Sequence, residues 1–235
     1  MSVLRAMGLL LGLCGIMALG CFLAIFRYGD PNLNHYVMNL YSRFGSLIGI
    51  RTRVENLEGM TRHQPCIYMG NHQSGLDVAV YGATFPDRTV AIGKKELLYI
   101  PFFGLFWKAG RNLLISRSNP KKSIASLRKA ADLCIGERLS VGMFPEGTRN
   151  RELEGLLPFK KGGFYLAVQT QFPIVPLIVE SYKKVGALES GRVKAGEIRV
   201  KVLEPILTKG KENKDIPELM NEVRTAMLRA QAAME

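Results

Sequence analysis

The chain has 235 residues, 47% of them hydrophobic, and carries 32 Lys and Arg against 20 Asp and Glu for a net charge of +12. That leaves room for one α/β domain with an ample core plus an extension. The four cysteines (Cys14, Cys21, Cys66, Cys134) lack zinc-site spacing and read as buried, reduced thiols; they lend no support to a metal site or disulfide framework and suit a cytosol-facing protein.

Residues 61–208 hold 22 basic against 12 acidic side chains, so most of the positive excess sits in the middle of the chain. These charges (Lys94, Lys108, Arg138, Lys160, Lys183) are scattered and form no recognisable nucleic-acid module. The expected partners are an anionic membrane face or a phosphorylated substrate, not nucleic acid.

In chain order, Met7 to Phe26 is a run of 20 uncharged residues between Arg5 and Arg27, long enough at 1.5 Å per residue for a hydrocarbon core of ~30 Å. It is long for a signal peptide and lacks a clear Ala-x-Ala site, so a retained membrane helix is expected. Asp30-Pro31 reads as a cap followed by proline at the first helical position. Leu33, Tyr36, Val37, Leu40, Tyr41, Phe44, Leu47 and Ile48 then recur at helical spacing. This amphipathic helix can lie in the membrane interface or pack on the domain, and the pair can span the bilayer or dip as a hairpin into one leaflet.

From about residue 60, short β-rich runs alternate with helical patterns. Strands are predicted at 67–69, 89–92, 113–115, 140–144, 174–179 and 198–203, and helices at 74–83, 101–109, 120–136, 161–171 and 216–233. The predicted fold is α/β: a mixed sheet flanked by helices, with an N-terminal membrane-associated two-helix segment over residues 1–52 and the α/β domain over 53–235. Functional sites are expected on the loops after strands.

The first such loop holds Asn71-His72-Gln73-Ser74-Gly75-Leu76-Asp77. An imidazole acting as general base needs a group to fix its tautomer and stabilise its charged form, and a carboxylate does both. Residues five apart lie roughly 140° apart around a helix. His72 is therefore expected in the strand-to-helix turn, with Asp77 on the first helical turn reaching back. A histidine in a turn beside an aspartate favoured by the helix dipole is the plainer alternative.

The loop after the strand at 140–144 holds Phe144-Pro145-Glu146-Gly147-Thr148-Arg149. Pro145 and Gly147 can set a turn that exposes backbone N–H groups, and Arg149 can grip a phosphate through two parallel hydrogen bonds; a structural turn with a surface arginine is the alternative. Between the two motifs, Lys95 and Arg117 are further phosphate candidates. Phe102, Phe103, Phe106 and Trp107 suit an acyl pocket, lipid insertion or ordinary core. The chain has no Gly-x-Ser-x-Gly elbow and no cysteine beside His72, so no covalent nucleophile is expected.

Taken in order, Asn71–Asp77, Lys95–Arg117, Phe144–Arg149 and Ile174-Val175-Pro176-Leu177 resemble the four motif blocks of the glycerolipid acyltransferase family, over about residues 60–205. One departure is Ser116, where many relatives carry an acidic residue. The resemblance implies transfer of a fatty acyl group from a thioester, acyl-CoA or acyl carrier protein, to the sn-2 hydroxyl of lysophosphatidate, giving phosphatidate without a cofactor or metal. It makes His72 the base and Asp77 its orienting carboxylate. Glu146, Gly147, Thr148 and Arg149 would bind the acceptor, with Lys95 or Arg117 assisting. Membrane lipids are the implied surroundings, on the cytoplasmic face of a bacterial membrane or of the endoplasmic reticulum. An acyltransferase for glycerol 3-phosphate or another lysophospholipid, or a non-catalytic phospholipid-binding membrane protein, are the alternatives.

Overall fold

The computed structural model describes residues 1–100, 103–115 and 120–234. Within them lie the helices α1 (Ser2–Phe26), α2 (Asn32–Leu47), α3 (Gly59–Arg62), α4 (Asp77–Gly82), α5 (Phe103–Ala109), α6 (Pro120–Glu137), α7 (Lys161–Thr170) and α8 (Ile216–Ala232). The strands are β1 (Ile50–Glu55), β2 (Ile67–Gly70), β3 (Thr89–Lys94), β4 (Leu113–Ile115), β5 (Ser140–Met143), β6 (Ile174–Val179) and β7 (Gly196–Val202). They form one sheet in the order β1-β7-β6-β2-β5-β3-β4. All neighbours are parallel except β6 and β7, so the sheet is mixed, as the alternating pattern predicts.

The central strands are buried on both faces and read accordingly as apolar runs, most plainly Ile174–Val179, where every residue is buried. One face packs against α6, α7 and α8 through Leu127, Ala131, Cys134, Phe164, Leu219 and Met227. The other is covered by α1, α2 and α4, with Leu9, Tyr41, Val80 and Tyr182 in the core. Burial pushes the thiols of Cys66 and Cys134 up to about 12. On α6, Leu127, Ala131 and Cys134 carry the packing, while Ile124 is exposed.

Several boundaries differ from the sequence reading. β1 has no counterpart among the predicted strands: it pairs with β7 from Ile50↔Gly196 to Glu55↔Lys201 and crosses the expected division at 52/53. Its outward Arg51 and Arg53 mask the strand pattern, and charge of that kind is common on a sheet edge. Helix α4 starts at Asp77, three residues later than expected, because the backbone N–H groups of Gln73 and Ser74 are turned toward the Asp77 carboxylate. At the start of α2 the capping position belongs to Pro31, but Asp30 still accepts the Asn32 N–H at 2.9 Å. The helix expected from Pro101 is described from Phe103 onward.

Helix α1 is long and apolar enough to cross a membrane. It nevertheless lies against the body along its length. Arg5 donates to the carbonyls of Ile48 (2.5 Å) and Val193 (3.2 Å), the Tyr41 hydroxyl donates to Leu9 O (3.0 Å), and Met17, Cys21 and Ala24 pack with Leu33, Val37 and Phe106. Its outer face leaves Leu4, Leu11, Phe22, Ile25 and Phe26 exposed. In α2, Leu33, Val37 and Tyr41 point inward and Tyr36, Leu40 and Leu47 outward.

Candidate active site

The carboxyl ends of β2, β5 and β6 lie side by side at the centre of the sheet, the position where open α/β sheets place their ligands. Each contributes a loop. Asn71, after β2, clamps the end of β6: its amide donates to Val179 O (3.0 Å) and its side-chain oxygen accepts the Val179 N–H (2.8 Å). Gln73 adds bonds to the carbonyls of Val179 and Glu180 and accepts from Tyr182 N–H. These contacts hold the His72 turn against the strand ends.

His72 Nδ1 lies 2.6 Å from Asp77 Oδ2, so the carboxylate does reach back from the first turn of α4. The same oxygen accepts the N–H groups of Gln73 (2.8 Å) and Ser74 (3.1 Å), and the other accepts the Tyr182 hydroxyl at 2.6 Å. Asp77 is 2% exposed, and this set of donors satisfies the buried charge. An ionised carboxylate accepts only, so Nδ1 carries the proton and the neutral ring keeps its lone pair on Nε2. The imidazole stacks on Phe144 with ring centroids 4.0 Å apart and an interplanar angle of 4°.

Burial, and next the charge of Asp77, push the Tyr182 phenol well above its ordinary value, so it remains a donor. Tyr182→Phe should therefore leave Asp77 Oδ1 short of a partner and cost about 2 kcal/mol of stability. Chemical unfolding of both proteins in the same detergent measures this, and a difference below about 0.5 kcal/mol would contradict the bond.

The second motif meets the first from β5. Glu146 is buried; one oxygen accepts His72 N–H (2.8 Å) and the other Leu157 N–H (2.8 Å), so both are taken up by the protein's own backbone. Burial outweighs these donors and raises its carboxyl above the ordinary value. Gly147 turns the chain at φ +70°, a left-handed conformation that favours glycine. Thr148 and Arg149 emerge exposed beyond it. Arg149 donates to Glu189 at 2.8 Å.

His72, Asp77, Ser74, Phe144 and Arg149 line one cavity of about 180 Å³ whose remaining walls are almost wholly apolar. Phe103, Phe106 and Trp107 line it, as do Met17 of α1 and Met38 of α2. Phe102 and Arg117 lie outside the described residues. Lys95 is exposed and lines a separate groove with Lys108, Arg111 and Lys129, so it is not brought to the His72 cavity. Tyr182 and Glu189 were missed by sequence reasoning: they lie more than 100 residues beyond the first motif, in a loop without periodicity. No local signal marks them.

The profile of the Acyltransferase family matches residues 51–180, more than half of the chain. An acyltransferase of Schizosaccharomyces pombe is 35% identical over 92% of this chain and 73% of its own length. The human 1-acyl-sn-glycerol-3-phosphate acyltransferase alpha is 38% identical over 77% of this chain, which spans 64% of that relative. The 1-acyl-sn-glycerol-3-phosphate acyltransferase of Haemophilus influenzae is 32% identical, covering 87% of this chain and 84% of that one. The crystal structure of the 1-acyl-sn-glycerophosphate acyltransferase from Thermotoga maritima superposes on the whole chain with a TM-score of 0.74 at 23% identity, a likeness of fold. The stretch shared with the family profile includes both loops that meet at His72, and the chain belongs to the acyltransferase family.

Proposed function

We propose that the protein is a membrane-bound 1-acylglycerol-3-phosphate O-acyltransferase that makes phosphatidate from lysophosphatidate and a thioester donor, acyl-CoA or acyl carrier protein. The observation that carries this reading is a His72–Asp77 pair and an arginine on the walls of one apolar cavity. A fatty chain needs the apolar walls, a phosphate monoester needs the cation, and the hydroxyl between them needs a base.

In this reading the acceptor's sn-2 oxygen attacks the thioester carbonyl while His72 Nε2 takes its proton. The new C–O bond forms, the tetrahedral intermediate collapses with loss of the C–S bond, and the leaving thiolate recovers the proton from the imidazolium. Asp77 stabilises the imidazolium, and Tyr182 holds the carboxylate in place. Arg149 binds the acceptor phosphate. Glu146 acts from behind, holding the His72 backbone. The acyl chain enters the cavity among Phe103, Phe106 and Trp107. Each buried methylene contributes about 0.8 kcal/mol.

Residues 1–52 serve as the membrane-attaching segment and 53–235 as the catalytic domain, with β1 joined to the latter's sheet. Contacts of α1 with Ile48, Val193 and Phe106 favour a helix lying along the body and dipping into one leaflet, its exposed leucines and phenylalanines in lipid. The basic body suits an anionic cytoplasmic face and a polyanionic donor.

The test is an assay of purified protein with labelled acyl-CoA and a panel of acceptors: lysophosphatidate, glycerol 3-phosphate and lysophospholipids with larger headgroups. Labelled phosphatidate from lysophosphatidate is expected. Product from glycerol 3-phosphate alone would move the assignment to that acceptor, and no product from any acceptor, with either donor class, would sink it.

A further inference from the structure

Glu189 sits in a short 3₁₀ turn, Leu188–Ser190, far in sequence from both motifs, yet its carboxylate joins them. One oxygen accepts the Gly75 N–H at 2.8 Å and an Arg149 N–H at 2.8 Å; the other accepts the Ser74 hydroxyl at 2.7 Å. The turn is itself fastened to the first motif, because Leu188 N–H donates to Ser74 Oγ at 2.9 Å. Gly75 permits this approach: a Cβ there would stand 3.0 Å from Leu188 Cδ2. Burial works to raise the Glu189 carboxyl, but the bonds from Ser74 and Gly75 and the charge of Arg149 outweigh it and hold it below its ordinary value.

We propose that Glu189 is a positioning residue for the acceptor, tying the Arg149 guanidinium to the turn that carries His72 and so setting the spacing between phosphate grip and base. The proposal rests on the reading of Arg149 as the phosphate ligand. In lysophosphatidate the phosphate and the sn-2 oxygen are separated by only a few bonds, so a displaced arginine displaces the hydroxyl from Nε2. Misplacement by about 1 Å can cost ~10²-fold in rate. Arginine presents five N–H donors; the recorded contact to Glu189 uses one terminal nitrogen, leaving others for phosphate oxygens. The guanidinium then stands between two anions, and their mutual repulsion is offset by its charge. Arg149 is 45% exposed, and without this contact its long side chain is free to swing through solvent.

The experiment uses the full chain with lysophosphatidate and acyl-CoA, comparing Glu189→Gln, Glu189→Ala, Arg149→Ala and the Glu189→Ala/Arg149→Ala double variant. Glu189→Ala should lower kcat/KM for lysophosphatidate about 10–100-fold with donor KM unchanged. Glu189→Gln should lose less, since its amide oxygen still accepts. In the Arg149→Ala background, Glu189→Ala should add less than about twofold, because the two act as one unit.

A fall in acceptor KM for Glu189→Ala would mean that the carboxylate competes with the phosphate, and would overturn the proposal. So would losses that multiply fully in the double variant, the mark of a merely structural residue. If Arg149→Ala weakens acceptor saturation while both Glu189 variants behave as wild type, this inference alone falls. If Arg149→Ala leaves acceptor saturation unchanged, the phosphate role of Arg149 falls and this inference with it.

Discussion

Replacing His72 by alanine should lower kcat by about 10²–10⁴-fold, the usual worth of a positioned general base, without unfolding the protein. The imidazole is the group removed, and the turn around it is held by other atoms. His72 N–H still donates to Glu146, and Asn150 N–H still donates to His72 O at 2.7 Å. Asp77 keeps the N–H groups of Gln73 and Ser74 and the Tyr182 hydroxyl, so its charge is not left without donors. Acceptor and donor saturation should change little, since the base contributes chiefly in the transition state. Turnover is measured with lysophosphatidate and acyl-CoA beside thermal unfolding of the same samples. A folded His72→Ala protein with wild-type turnover would remove the proposed base.

Asp77→Asn should lower kcat by a comparable ~10²–10⁴-fold, by removing charge while preserving shape. An asparagine at this position has one orientation that satisfies its neighbours. Its oxygen takes the place of Oδ2, where His72, Gln73 and Ser74 present donors, and its NH₂ takes the place of Oδ1. There it meets the Tyr182 hydroxyl, which can turn from donating to accepting. The hydrogen-bond count is conserved, so the fold should persist and the loss should lie in stabilising the imidazolium. Asp77→Ala, by contrast, leaves four donors without their acceptor and should destabilise as well as inactivate. Were folded Asp77→Asn to retain wild-type kcat, the carboxylate's charge would have no part in catalysis.

How much of the fold and the site is legible in the sequence depends on the range of each interaction. The strand at 174–179 is legible to the residue because a central strand buried on both faces is apolar throughout, and the edge strand 113–115 is legible because its three residues, Leu113, Leu114 and Ile115, are all apolar. The edge strand 50–55 escaped because its charged outward residues carry no comparable signal. His72 and Asp77 were visible as a spacing, and their meeting followed from a turn that leads into a helix. Lys95 shows the opposite case. Its place in the sequence, between the two motifs, suggested the site, but β3 and its following 3₁₀ turn carry it to another groove. Glu146 was visible as part of a motif, yet which atoms its carboxylate would meet was not.

By itself, then, the sequence determined the alternation of strands and helices, the apolar N-terminal helix, and two polar turns after strands. All of these rest on periodicity and turn chemistry within a few residues of chain. Tertiary structure decided which strand ends stand together, and thereby that Tyr182 meets Asp77 and Glu189 joins Arg149 to the His72 turn. Those partners lie 105 and 40 residues apart, and a hydrogen bond across such a distance leaves no periodic trace in the sequence. It exists because sheet order brings the carboxyl ends of β2, β5 and β6 together, where buried charge must find its donors or not be buried at all.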